Sequence, residues 1–354
     1  MGCDLQPRPQ HCAVIKSFQT FAFNFQCCTF AYTTKGCPGV IPSAEMKPLE
    51  PAPVSTGEGI VRLSGVIPLS FVIRIKNRIG MRQYYPVLTI AGSDSSGGAG
   101  IQADIKTISA IGCYAMSAIT AITAQNTTGV ASVQGIDPDI VARQIEMVFA
   151  DIPPMAVKTG MLFSKPVIEA VSSVLVRSAV RKLIVDPVMM STSGTYLIEP
   201  DAVEAMKNLI FPHALLVTPN CHEAIALTGE NEPKKQAQAL HAMGCSNVVI
   251  KGGDSNNTEI KTDFVSLDCG ADVFDIHADA VITANTHGTG CTFSAAIASY
   301  MALGYSLADA IKSGKLFVTK AIENGAYVTC GHGHGPVNHF FAPRRLKNFN
   351  PKSI

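Results

Sequence analysis

Val87-Leu-Thr-Ile-Ala91, followed at once by Gly92-Ser-Asp-Ser-Ser-Gly-Gly-Ala-Gly100, is the stretch on which the fold turns. The first five residues read as a buried strand and the glycine-rich segment as a loop. From Gly100 to Ile111 apolar residues recur at helical spacing. The same alternation continues downstream. Strands are predicted at 116–124, 156–159, 182–185, 214–218 and 247–250, with helices at 138–149, 165–177, 201–209, 222–227 and 234–243. Alternation of this kind builds a parallel sheet with helices on both faces, an α/β fold. Such sheets bind ligands at the carboxyl ends of their strands. The residues that follow these strands are polar enough to do so: Gly92-Ser-Asp94, Gln125-Asn126, Lys158 to Met161, Asp186-Pro-Val188, Pro219-Asn220 and Lys251-Gly-Gly253.

The first loop nearly matches two phosphate-binding motifs. Gly98-Ala-Gly-Ile-Gln-Ala103 satisfies GxGxxA, but the next strand ends in Ala124-Gln-Asn126, without the acid that would hold a ribose. Gly92 to Gly97 has the GxxxxG of a P-loop, yet Gly98 and Ala99 stand where Lys and Ser or Thr are required. What remains is a flexible loop carrying Asp94, with Asp104 on the helix behind it, suited to closing over a small polar molecule. A second polar segment, Asn285-Thr-His-Gly-Thr-Gly-Cys-Thr-Phe-Ser294, runs directly into an apolar helix. Positive φ at Gly288 and Gly290 would let Thr289, Thr292 and the first helix amides face one concavity suited to an anion. Cys291, at the tip of that helix, is expected to have a lowered thiol pKa.

Composition bounds the rest. A chain of 354 residues with 47% hydrophobic content buries a large core, and its net charge of +1 with no long Lys/Arg run argues against nucleic acid as a partner. The 11 cysteines lack paired CxxC spacing and read as reduced, cytoplasmic thiols. No apolar stretch is long enough to span a membrane. Residues 1–83 differ in character: loose aromatics, five cysteines, prolines and an acid-free, Arg-containing run at 61–82. They read as an N-terminal extension, either an organelle-targeting leader or a segment ahead of a start at Met81. The boundaries expected are 1–83 for this extension, 84–345 for the main domain and 346–354 for a C-terminal tail.

Five blocks in order carry a family resemblance: 91–107, Ala121-Ile-Thr-Ala-Gln-Asn-Thr127, Lys158-Thr-Gly-Met-Leu162, Asp186-Pro-Val-Met189 and Thr286-His-Gly-Thr-Gly-Cys-Thr292. Together they resemble hydroxymethylpyrimidine/phosphomethylpyrimidine kinase, over about 87–341. The resemblance implies a ribokinase-like three-layer α/β/α sandwich with a mostly parallel central sheet. It implies transfer of the ATP γ-phosphoryl group to the hydroxymethylpyrimidine and then to its monophosphate, in thiamine diphosphate synthesis. By similarity Gln125 reads the aminopyrimidine edge, with both a donor and an acceptor to offer. Gly92, Asp104, Met161 and Val188 line the same pocket. On the nucleotide side, Asn220 and Glu223 keep an Asn-x-x-Glu spacing, Glu223 and Asp186 would hold Mg²⁺, Lys251 would neutralise phosphate, and Thr286 borders the nucleotide. The resemblance makes Gly288, Thr289 and Gly290 the anion hole; Cys291 stands where many sugar kinases of the fold have an Asp base, and its thiolate is expected to act as the base for the substrate hydroxyl. A homodimer is expected from the same resemblance.

Two alternatives stay open: a pyridoxal kinase of the same fold, and a non-catalytic pyrimidine-binding relative. The set Asn220, Glu223, Lys251 and Cys291 speaks against the second, because a pure binder has no use for phosphoryl-transfer groups. Residues 255–263 read as a surface hairpin. His332, His334 and His339 lie among glycines that give no rigid metal frame, and read as a turn at the rim of the site.

Overall fold

Side chains along the predicted strands alternate between two cores. In the computed structural model, which describes residues 82–191, 194–253 and 259–351, Leu88, Ile90, Leu183, Val185 and Val217 join one apolar cluster, while Val87, Ile184, Leu216 and Val249 join the other. A strand whose period of two is apolar on both faces must be covered on both, and it is. The strands are β1 (Gln83–Tyr84), β2 (Pro86–Asp94), β3 (Tyr114–Asn126), β4 (Gly129–Gly135), β5 (Ala156–Thr159), β6 (Leu183–Val185), β7 (Leu216–Val217), β8 (Val248–Ile250), β9 (Ile260–Leu267), β10 (Asp272–Asp279) and β11 (Asn348–Phe349). The helices are α1 (Gly100–Ile111), α2 (Pro138–Asp151), α3 (Lys165–Arg177), α4 (Pro200–Leu209), α5 (Cys221–Thr228), α6 (Pro233–Ala242), α7 (Thr289–Ala302) and α8 (Leu307–Gly325). Helices α2 to α6 supply the first core; α1, α7 and α8 supply the second. The result is a three-layer α/β/α sandwich with a mostly parallel sheet.

The main sheet has nine strands in the order β10-β9-β8-β7-β6-β5-β2-β3-β4. Neighbours from β3 across to β8 are parallel, and both margins are antiparallel: β4 on β3, then β9 and β10 beyond β8. The chain leaves β2 for β3 on one side and returns to β5 on the other. A crevice therefore opens above the carboxyl end of β2.

Some expectations change here. The hairpin partner β4 carries no strong apolar run, because an edge strand buries little. Its signal is the turn before it, where Asn126 Oδ1 accepts the amides of Thr128 and Gly129. The tail expected to begin at 346 is folded in: β11 pairs with β1, and Phe349 packs on Tyr85 with ring centroids 4.9 Å apart. The described residues from 82 onward belong to one compact unit; Gln83, at the end of the extension expected at 1–83, is part of it through β1, whereas residues 1–81 lie outside the described residues. Of the hairpin expected at 255–263, residues 255–258 lie outside them, while 260–263 belong to β9, paired with β10, and Asp263 is buried. Among the described residues no helix is long and apolar enough to cross a membrane.

Candidate active site

Six strand ends converge on one cavity of about 410 Å³. From β2, β3, β5 and β6 come Gly92, Gln125, Met161 and Val188; from β6, β7 and β8 come Asp186, Asn220, Glu223 and Lys251. The loop into α7 closes it with Thr286, Gly288, Thr289, Gly290 and Cys291. Every site residue proposed from sequence lines this cavity except Asp104 and Thr292.

Asp104 is a correction. It lies one turn into α1 on the side facing the sheet, is fully buried, pairs with Lys158 Nζ at 2.8 Å and accepts the Thr89 hydroxyl at 2.6 Å. Burial raises its pKa, against the opposing pull of Lys158. It braces α1 to β2 and β5 beneath the cavity floor. Thr292 is a second correction: it is fully buried and its hydroxyl donates to Gly288 O at 2.8 Å. Gly288 does take a left-handed φ of 82°, as the N-cap of α7, and a Cβ there would lie 1.9 Å from Gly98 O. Gly290 instead belongs to the first helical turn. An added Cβ there would lie 3.1 Å from Lys251 Nζ, close enough that the lysine head would have to shift.

The charges around Lys251 are tightly paired. Lys251 Nζ sits 2.8 Å from Asp186 Oδ1 and 3.9 Å from Glu223 Oε2. Burial disfavours the ammonium, but Asp186 and Glu223 outweigh it and hold Lys251 above the usual lysine range. Asp186 Oδ2 accepts the Ser294 hydroxyl at 3.2 Å. Asn220 and Glu223 form a capping box on α5, each side chain bonded to the other's amide at 2.8 Å. The Asn-x-x-Glu spacing is thus a helix start as well as a site motif.

Cys291 does not show the lowered pKa expected of it. Burial pushes the thiol up to about 12, with Asp104 and Asp186 adding to the rise and Lys158 and the Gly100 amide opposing it. The helix terminus is outweighed by desolvation and two carboxylates.

Two residues without an assigned role in the sequence organise the other end. Asp94 gathers the glycine-rich loop, accepting the amides of Ser96, Gly98 and Ala99 and, at 2.8 Å, His287 Nε2. Burial raises its pKa, but these bonds prevail and keep it well below the usual carboxylate range. Asp94 and His287 stand 193 residues apart, so no local pattern announces the pair. His339 is buried against Thr292, whereas the His332 and His334 amides bond to Thr127. Among the described residues no group of three or more His, Cys, Asp or Glu is gathered to hold a metal ion.

The profile of the phosphomethylpyrimidine kinase family matches residues 94–338, spanning the strand-end loops that build the cavity. The chain belongs to the phosphomethylpyrimidine kinase family. A hydroxymethylpyrimidine/phosphomethylpyrimidine kinase of Rhizobium meliloti is 44% identical over 72% of this chain and 96% of its own length. A thiamine biosynthesis bifunctional protein of Geobacter sulfurreducens is 45% identical over 74% of this chain, which spans only 54% of that longer relative. Among solved structures, the pyridoxal kinase from Staphylococcus aureus in complex with AMP-PCP and pyridoxal superposes with a TM-score of 0.67 at 36% identity, covering 75% of this chain and 97% of its own. This phosphomethylpyrimidine kinase family member is accordingly an enzyme, a kinase, on a ribokinase-like fold.

Proposed function

We propose that the cavity transfers the γ-phosphoryl group of ATP to the hydroxymethyl group of 4-amino-5-hydroxymethyl-2-methylpyrimidine, and then to the phosphate of the product, in thiamine diphosphate synthesis. The observation that carries this reading is that one cavity gathers two chemically distinct sets of groups: Gln125, Met161 and Val188, and beside them Lys251 and the first turn of α7. Met161 and Val188 offer the faces of a flat ring apolar contact, while Gln125 donates and accepts at its edge. The α7 terminus and Lys251 stabilise negative charge on the transferred group. A loose phosphoryl-transfer transition state needs positioned charge more than a strong base. Cys291, a neutral thiol beside the anion hole, serves as a polar contact to the attacking hydroxyl.

The donor set also suits Mg²⁺, since Asp186 and Glu223 present hard carboxylate oxygens to the same end of the cavity. Both already share Lys251, so they would hold the ion chiefly through water and phosphate oxygens. The ion would supply further charge neutralisation of the phosphates.

The test is ATP turnover with Mg²⁺ by the full chain on the hydroxymethylpyrimidine, its monophosphate and pyridoxal at equal concentrations. Conversion of the first two to the diphosphate is expected. Turnover of pyridoxal alone would overturn the pyrimidine assignment.

A further inference from the structure

Lys251 stands on a turn, Lys251-Gly252-Gly253, whose position is fixed from outside the cavity. The Gly252 amide donates to Asp263 Oδ1 at 3.0 Å, and Asp263 Oδ2 holds Lys315 Nζ at 2.8 Å. Both side chains of this pair are buried. The turn is pressed hard on β9: a Cβ at Gly252 would lie 1.8 Å from Thr262 O, so only glycine allows this approach. Lys315 comes from α8, the helix packed most closely against α7. Its neighbour Gly314 is so tight there that a Cβ would sit 2.8 Å from Ile297 Cγ1 of α7. One helix therefore supports the anion-hole helix with one residue and reaches the lysine turn with the next. Neither Asp263 nor Lys315 lines the cavity.

We propose that Asp263 and Lys315 are positioning residues for the nucleotide: they hold the Lys251 turn at a fixed place relative to the first turn of α7, and so set ATP affinity without touching ATP. The inference rests on the assignment of Lys251 to the phosphates. A carboxylate is what the geometry asks for. It accepts from an amide on one oxygen and from an ammonium on the other, whereas asparagine would face one of these two donors with its own NH₂. Without that acceptor the Gly252 amide is orphaned, and the turn has to move to satisfy it.

The experiment is steady-state kinetics of the full chain with ATP and hydroxymethylpyrimidine varied separately, at a temperature where circular dichroism shows each variant folded. The variants are Asp263→Asn, Lys315→Met, the apolar pair Asp263→Leu/Lys315→Met, and Lys251→Met as a reference. The apolar pair keeps the fold accessible, because replacing both partners of a buried ion pair is tolerated far better than removing one. The expected result is a rise of about tenfold in the KM for ATP in the Asp263 variants, the scale of one weakened phosphate contact, with the KM for the pyrimidine changed less than about twofold. A normal ATP KM in the folded apolar pair, or an equal rise in both KM values, overturns the positioning role. If Lys251→Met itself leaves the ATP KM unchanged, the phosphate assignment of Lys251 fails, and the proposal with it.

Discussion

Cys291 shows how a residue in the expected place can carry different chemistry from the one expected. A helix N-terminus lowers a thiol pKa, but at this half-buried thiol desolvation and two carboxylates push it up to about 12. At neutral pH it is a neutral group. General-base catalysis contributes roughly 10²–10⁴-fold, so the Cys291→Ser variant is expected to keep kcat within about tenfold of the parent. A loss of a hundredfold or more would restore the base. Most of the cavity lining was legible at this scale, since Gln125, Asp186, Asn220 and Lys251 each follow a strand, and strand ends are found from local apolar runs. Asp104 was not, because whether a carboxylate faces a cavity or a buried lysine 54 residues away is invisible to spacing.

At the scale of elements, the Lys158–Asp104 pair joins β5 to α1, and the Thr89 hydroxyl adds β2. Both charges are fully buried, and burial alone would neutralise them. Instead, burial, which lowers the Lys158 pKa, is outweighed by Asp104 together with Cys291 and Asp186, and the lysine stays charged. Removing one partner leaves an unpaired buried charge, so Lys158→Met is expected to cost about 3–5 kcal/mol in urea unfolding. Adding Asp104→Leu to it should recover most of that loss. If the double variant is no more stable than the single one, the pair is not the brace described. Helices α1 and α3 match the bounds expected from periodicity, Gly100–Ile111 and Lys165–Arg177, because each carries a repeating apolar face. Strand β4 escaped notice for the opposite reason: an edge strand half open to water has little pattern to display.

For the whole molecule, the closing segment brings His339 from near the end of the chain under α7, where its Nε2 lies 3.1 Å from the Thr292 hydroxyl. Because Thr292 donates to Gly288 O, the imidazole Nε2 must be the donor here. Burial, with Lys106 and His287 near, lowers its pKa from 6.5 to about 4. The folded chain then binds fewer protons than the unfolded one between those values. The stability this residue contributes is complete above about pH 6.5 and is lost as pH falls toward 4, on the order of 3 kcal/mol. His339→Gln keeps a donor and cannot titrate, so its unfolding free energy should fall less steeply over that window. Parallel slopes for the two proteins would remove His339 as the cause.

The sequence by itself determined the alternating elements, the parallel sheet and the set of loops at its carboxyl edge, because turns, caps and apolar periodicity act between residues a few positions apart. Only the tertiary structure decided which polar groups face the cavity and which brace the core, and whether Cys291 is ionised. Those outcomes depend on burial and on partners such as Asp94 with His287 or Asp263 with Lys315, which the fold brings together from distant points of the chain.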